Sequence, residues 1–368
     1  MKICFLAGTD SIHSKKWIGY FADRRNEIHC ISLTKNKFSI IKNVKFYSLK
    51  GFSLKPLDIL FNAITVKKLI KKINPDVLHA HYAGVNGVLA ALSGFHPFVL
   101  TVWGSDILIA PKSNIIKPLI KFSLKKADLI TCDGENTREA MINLGIDASK
   151  IKIIYFGVNA QKFTISPKNE NLIKELRIKN CPVVISLRNL EPIYDLETLV
   201  KAVPLVLKEF SEAKFIIIGR GSEEEKLKKL AKDLKITDSI RLLGFISNDK
   251  LPKYLRVADI YVSTSLSDGG ISASTAEAMA SGLPVVITDS GDNKKWIKDG
   301  ENGFVIPIKN PEILAKKTIY LLKNENIRLK SGEINRKIIE EKYNYYKEMS
   351  KMEKIYEEII KKNQKNLT

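Results

Sequence analysis

Short apolar runs alternate with amphipathic stretches along almost the whole chain. The first series is Lys2–Ala7, Ile28–Leu33, Val44–Leu49, Val77–His81, Phe98–Val102, Leu129–Cys132 and Ile151–Tyr155. A second begins at Val183–Leu187 and continues through Phe215–Gly219, Ile240–Gly244, Ile260–Thr264, Val285–Thr288 and Phe304–Ile308. Runs this short, apolar on both faces, read as strands buried in a parallel sheet, with the intervening stretches as crossover helices. The βαβ order occurs twice, which predicts an α/β protein of two Rossmann-like, doubly wound domains. After Phe163 the polar segment Thr-Ile-Ser-Pro-Lys-Asn-Glu-Asn carries Pro167 and no periodicity, so a linker is predicted over Phe163–Asn171, between domains at 1–165 and 166–341. Beyond Pro311 the pattern is helical to the end, with Tyr343, Tyr345, Tyr346, Met349, Met352, Ile355 and Tyr356 roughly on one face. Residues 342–368 are expected to form a C-terminal helix packing back toward the first domain.

A chain of 368 residues is long enough for two such cores. No window approaches the roughly 18 to 20 apolar residues of a membrane span, and Met-Lys-Ile-Cys-Phe-Leu-Ala-Gly-Thr-Asp passes straight from strand to polar loop. A cytoplasmic, uncleaved protein is expected. Cys4, Cys30, Cys132 and Cys181 are far apart, and three fall inside predicted strands, as suits reduced core residues rather than a disulfide framework or a zinc site.

The net charge is +20, and it is uneven: residues 1–163 hold 24 Lys and Arg against 11 Asp and Glu. Such a field suits a phosphate-rich, membrane-surface or nucleic-acid partner, although a Lys-, Ile- and Asn-rich composition accounts for part of it. No basic motif interleaved with aromatics supports nucleic acid, so none is expected. Two basic amphipathic stretches, Phe52–Lys72 (with Lys67, Lys68, Lys71 and Lys72) and Lys112–Lys126, suit peripheral contact with an anionic bilayer on the cytoplasmic face. Ordinary surface helices over a Rossmann sheet carry the same pattern.

The segment Ser263–Asp289 holds the densest candidate chemistry. A strand ends at Ser263-Thr264, a Gly-rich turn follows, and a small-residue helix carries Glu277 before Pro284-Val-Val-Ile-Thr resumes the sheet. Helix starts at strand ends favour anions, and an acid nearby suits ribose hydroxyls. Gly269, Gly270, Ser272, Ala273 and Ser274 let a ligand approach the backbone; a plain helix-capping or solvated role for Glu277 is the alternative. In the first half, Gly8–Trp17 links strand to helix and includes Thr9 and His13. His79 and His81 share a strand face without a third metal ligand nearby, so His81 is expected to hydrogen-bond at the cleft. Trp103 offers an aromatic wall and Asp106 a carboxylate for sugar, with an N-cap as the simpler role for Asp106. Arg188 follows another strand, where a cation would meet a diphosphate at a helix mouth. Gly219-Arg220-Gly221 and Gly244-Phe245-Ile246 form tight turns suited to a base pocket.

Taken in order, SIHSKKW, HAHYAGVNG, TVWGSD, ADLITCDGE, IIYFGVNAQKF, RNLEPIYDLETLVKA, IIGRG, LLGFIS, AEAMASGLPVV and GENGFVIP resemble the GT-B-fold retaining glycosyltransferases of family 4, group 1, over nearly the whole chain. The resemblance implies two Rossmann-like domains facing across a cleft. It also implies transfer of a sugar from a UDP- or GDP-linked donor, held by the second domain, to an acceptor on the first. By position, Glu277 resembles the ribose-binding glutamate and Arg188 the cation on the diphosphate, while Gly219–Gly221 and Gly244–Ile246 resemble the base-binding turns. The turn Gly269, Gly270, Ile271, Ser272 is expected against the donor, with Arg188, Asp268 and Asp106 as catalytic residues and Thr9, His13, His81 and Trp103 toward the acceptor. No D-x-D occurs, in keeping with a metal-independent reaction without cofactor. Three positions depart from the pattern. The acid expected at Gly269 stands at Asp268; the lysine partner of Arg188 falls at Tyr194, leaving Lys294, Lys295 or Lys15 as substitutes; and Trp103 replaces a histidine, as in members carrying WGSD.

The expected function is therefore retaining transfer of a hexose-type unit to a glycan or lipid-linked acceptor in cell-surface polysaccharide assembly. A GT-B-fold nucleotide-sugar epimerase and a catalytically silent sugar-nucleotide-binding subunit are the alternatives.

Overall fold

The computed structural model describes residues 1–9, 11–34, 41–49 and 56–367. Asp10 and residues 52–55 of the first basic stretch lie outside them. The chain divides into two compact units, Met1–Phe156 with Lys347–Thr368, and Gly157–Tyr346.

In the first unit seven strands form one sheet: β1 (Lys2–Leu6), β2 (Glu27–Ser32), β3 (Val44–Ser48), β4 (Val77–His81), β5 (Phe98–Thr101), β6 (Leu129–Cys132) and β7 (Ile151–Ile153). Their order is β3-β2-β1-β4-β5-β6-β7, and every pair is parallel. The second unit repeats the plan with β8 (Val183–Ser186), β9 (Lys214–Ile217), β10 (Ile240–Leu242), β11 (Ile260–Ser263), β12 (Val285–Thr288) and β13 (Gly303–Ile306), in the order β10-β9-β8-β11-β12-β13, again all parallel. The central strands of both sheets are buried on both faces, which is why runs such as β5, β8 and β12 are continuously apolar, whereas the edge strands β3, β7 and β10 are partly exposed. Leu6, Leu78, Leu100 and Ile130 centre the first core; Val184, Phe215, Val262 and Val286 centre the second. Each such side chain contributes about 1.5–3 kcal/mol by leaving water.

Strand order reverses between β1 and β4 in one unit and between β8 and β11 in the other. At such switch points the loops leaving the carboxyl ends diverge, and ligands bind there. The register places Ile185 beside Tyr261. Running both strands on by three residues brings Arg188 abreast of Thr264.

The helical stretch after Pro311 is three helices, Pro311–Lys323, Glu325–Lys342 and Tyr345–Leu367, the last lying within the 342–368 expected for a C-terminal helix. Asn324 and Tyr343 leave helical geometry between them, although the apolar period runs on through both breaks. The segment Phe163–Asn171 lies inside the second unit, where Asn169 caps the helix Glu170–Leu176 by accepting from Leu172 N. Met349, Met352 and Tyr356 of the last helix are fully buried, whereas Tyr346 is 43% exposed. The Tyr356 hydroxyl hydrogen-bonds His79 Nδ1 on β4 and its ring lies 5.0 Å from Phe21. The cysteines of β1, β2 and β6 are buried and free; burial pushes the Cys30 thiol up to about 12.

Candidate active site

The loops after β8, β9 and β10 are laced together by backbone bonds. Leu190 N donates to Arg220 O at 3.0 Å, Gly219 N to Gly244 O at 2.9 Å, and Glu223 N to Leu190 O at 2.8 Å. Contact this close requires glycine: a Cβ on Gly219 would strike the Arg188 carbonyl, and one on Gly221 the Leu190 carbonyl. The Gly-Arg-Gly turn thus supports the β8 loop that carries Arg188. Arg220 itself is exposed, and Phe245, on the neighbouring turn, is 68% exposed.

Arg188 is buried, 6% exposed, where β8 and β11 diverge. Its Nη2 meets Asp268 Oδ1 at 2.5 Å and Ser265 Oγ at 3.3 Å, while Nη1 donates to Ser274 Oγ at 3.4 Å. Tyr261 Oη, from β11, donates to that same Ser274 oxygen at 2.8 Å. Tyr194 puts its ring 4.2 Å from the guanidinium carbon, so the position expected to hold a second cation instead supplies an aromatic face. Burial works against the charge. Asp268, with Tyr261 and Tyr194, more than offsets it, and the guanidinium is held above its ordinary value. Arg188 Nε has no partner among the described residues. Lys294 pairs with Asp289 at 2.5 Å and Lys295 with Asp292 at 3.6 Å; Lys15 belongs to the other unit.

The Asp268–Ser272 turn is braced from behind. Asp292 N donates to Gly270 O at 3.0 Å and Ser290 Oγ reaches Asp268 Oδ2 at 3.5 Å. Gly270 takes φ +68°, which glycine adopts without strain. Ile271 is buried, and Ser272 caps the helix Ala273–Ala280 by accepting from Thr275 N at 3.2 Å. Glu277 projects from that helix, 5% exposed, and its Oε1 accepts from Asn248 Nδ2 at 2.9 Å. Arg188, Asp268, Ser272 and Glu277 therefore gather around one strand end and one helix start. That arrangement can bind a diphosphate through a buried guanidinium and a helix N-terminus, and a diol through a carboxylate. Asn248, Ser265, Tyr261 and Lys162 carry no local mark in the sequence that sets them in the site, and Ser274 stands out there only as a small residue beside the turn; the pairing of β8 with β11 is what brings Ser265 to Arg188.

In the first unit an aromatic group collects at the carboxyl ends of β1, β4 and β5. His13 lies 5.1 Å from Trp103 and 4.8 Å from Phe156, and His81 lies 5.5 Å from Trp103 and 5.4 Å from Trp17, centroid to centroid. His81 Nδ1 meets Ser14 Oγ at 3.0 Å; its Nε2 has no partner among the described residues. His79 is taken up by Tyr356 and, at 2.6 Å, by Thr101. The described residues contain no cluster of three or more metal ligands. Two expected site residues face inward. Asp106 is fully buried, accepting from Ala83 N at 2.8 Å and Trp103 N at 2.9 Å, so its carboxylate ties the β4 and β5 loops together rather than standing open to a substrate. Burial raises it to about 6 against the pull of those N–H groups. Thr9 is 1% exposed and bonds Thr34 Oγ1 at 3.0 Å.

Burial lowers His13 to about 4, helped by Lys16, and His81 to about 3, helped by His13. Both imidazoles are neutral at pH 7. Because the folded-state value is depressed, the unfolded chain binds the extra proton first, and stability falls as pH drops from about 6.5 toward about 3. His81→Gln is expected to flatten this acid loss relative to wild type in urea unfolding at a series of pH values; an unchanged slope would place the acid sensitivity elsewhere.

Two parallel Rossmann-like sheets in one chain are the architecture of the GT-B glycosyltransferases. The Glycosyl transferases group 1 model matches residues 168–340 and the Glycosyl transferase 4-like model residues 2–134; the chain belongs to the group 1 glycosyltransferases. It is similar to the N-acetyl-alpha-D-glucosaminyl L-malate synthase of Bacillus anthracis, 24% identical over 92% of this chain and 91% of that one. It is also similar to the alpha-monoglucosyldiacylglycerol synthase of Acholeplasma laidlawii, 28% identical over 87% and 83%. Among solved structures, Anabaena Alr3699/HepE in complex with UDP superposes with a TM-score of 0.84 at 19% identity, covering 97% of this chain and 100% of that one.

Proposed function

We propose that the enzyme transfers a hexose-type sugar from a UDP- or GDP-linked donor, with retention, to a glycan or lipid-linked acceptor in cell-surface polysaccharide assembly. The observation that carries this reading is the buried Arg188 beside Asp268, at the β8/β11 switch point and one helix away from Glu277. Arg188 and the N–H groups of Gly270, Ile271 and Ser272 would take the diphosphate, Glu277 the ribose, and Phe245 with the Gly219–Gly221 turn the base. Asp268 would meet the donor sugar once the diphosphate engages Arg188. As the sugar–phosphate bond breaks, negative charge grows on the departing diphosphate, and a buried cation aimed there lowers that barrier. The phosphate leaves on the face from which the acceptor hydroxyl attacks, and takes that hydroxyl's proton. Neither step calls for a metal. His13, His81 and Trp103 would line the acceptor site with neutral, aromatic surface suited to sugar.

Donors of both kinds fit the relatives. One structural neighbour holds UDP, and a Mycobacterium tuberculosis relative, 27% identical over 202 residues, is a GDP-mannose-dependent phosphatidylinositol monomannoside mannosyltransferase. A lipid-borne acceptor is supported by the surface of the first unit. On helix Pro56–Ile73, Leu60, Phe61 and Ile64 are exposed beside Lys67, Lys68, Lys71 and Lys72. Ile115, Ile116 and Leu119 are exposed beside Lys112 and Lys117. Apolar side chains flanked by lysines suit an anionic bilayer.

The test supplies UDP- and GDP-sugars with anionic vesicles bearing a lipid-linked glycan. Nucleoside diphosphate is expected to appear in step with lengthened glycan. Donor consumed at the same rate without acceptor, or an epimerised free sugar, would overturn the reading.

A further inference from the structure

Glu277 is held by more than its own helix. Asn248, in the loop after β10, donates from Nδ2 to Glu277 Oε1 at 2.9 Å. At the amide's other end, Oδ1 accepts from Lys162 Nζ at 2.6 Å, and Lys162 also pairs with Asp249 at 2.8 Å. An ammonium has only donors and an ionised carboxylate only acceptors, so one orientation of the amide satisfies both neighbours. Lys162 thereby fixes which end of Asn248 faces Glu277. The Lys162 side chain is 27% exposed and Glu277 5% exposed. Both hydrogen bonds are partly buried, and bonds partly screened from water hold a carboxylate in one place more firmly than exposed ones.

We propose that Asn248, oriented by Lys162, is a positioning residue that aims the Glu277 carboxylate at the donor's ribose hydroxyls. The enzyme's preference for a ribonucleotide thus runs through the chain Lys162, Asn248, Glu277. This rests on the reading that Glu277 binds ribose. The loop that carries Asn248 also carries the exposed Phe245, so the segment offered to the base is tied to the acid offered to the sugar. A base that displaces this loop also misaims Glu277, which makes the loop a specificity element.

The experiment titrates the full-length protein calorimetrically with UDP, GDP and their 2′,3′-dideoxy counterparts. The readout is the ratio of dideoxy to ribo Kd for whichever base binds. Wild type is expected to favour the ribonucleotide by about ten- to a hundredfold, the worth of hydrogen bonds to a charged group. Glu277→Ala is expected to bring the ratio near one. Asn248→Ala should lower it to within about threefold of one, with little change in dideoxy affinity, and the double variant should lose nothing further. Lys162→Met, at a partly exposed position, should lower the ratio by severalfold and gives an independent reading if the Asn248 variant folds poorly. If Glu277→Ala abolishes the preference while Asn248→Ala and Lys162→Met leave it intact, the positioning chain is overturned and the ribose reading stands. If Glu277→Ala leaves the preference intact, the ribose reading itself falls, and the positioning role with it.

Discussion

Arg188→Ala is expected to lower kcat/KM for the nucleotide-sugar donor by about a hundred- to a thousandfold, the usual cost of deleting a preorganised group that meets developing charge. The size follows from where the guanidinium sits. It is 6% exposed and held by Asp268, Ser265 and Ser274, so it meets the diphosphate already oriented, with little water left to reorganise. Arg188→Lys keeps a charge but loses the planar fork and the stacking on Tyr194, and should recover only part of the rate. Steady-state release of nucleoside diphosphate checks both variants. A loss below about threefold for Arg188→Ala would remove this residue from the donor site.

The second large effect is expected at Asp268, and it links stability to ligand. Removing one partner of a buried ion pair costs about 3–5 kcal/mol, because the other charge stays behind in a poorly hydrated place. Asp268→Ala should therefore unfold at clearly lower urea concentration than wild type when no ligand is present. A bound diphosphate would return an anion to Arg188, so UDP or GDP should raise the Tm of the variant by more than it raises that of wild type. Turnover should nevertheless fall, since the carboxylate proposed to meet the donor sugar is gone. Equal ligand-induced shifts in the two proteins would mean that Asp268 and the diphosphate do not share the guanidinium.

Most of the fold was readable because a two-faced buried sheet leaves a strong mark: strands such as Val183–Ser186 and Val285–Thr288 have no polar alternation to confuse them. Breaks in regular structure were harder to read. The apolar spacing at the end of the chain continues through Asn324 and Tyr343, where only backbone geometry departs. Polarity and Pro167 mark a surface segment, but surface exposure does not say to which compact unit a segment belongs. In the site, Arg188, Glu277 and the glycine turns stood out because strand ends and helix starts are visible in the pattern. Contacts between loops were not visible. Asp268 could be noticed as a displaced acid, yet its pairing with Arg188 depends on a turn braced by Ser290 and Asp292. Asn248 and Lys162 are separated by 86 positions, and nothing local marks either one. Asp106 shows the converse: an acid at a strand end suggests catalysis, and only its burial against two backbone N–H groups reveals a structural clamp.

The most direct test compares binding of UDP with UMP, and of GDP with GMP, to wild type and to Arg188→Ala by calorimetry, with near-UV circular dichroism confirming that both are folded. If Arg188 holds the donor diphosphate, wild type favours the diphosphate of its base by at least about tenfold, in line with a charge-assisted pair, and the preference collapses in Arg188→Ala. The same preference in both proteins would contradict the account.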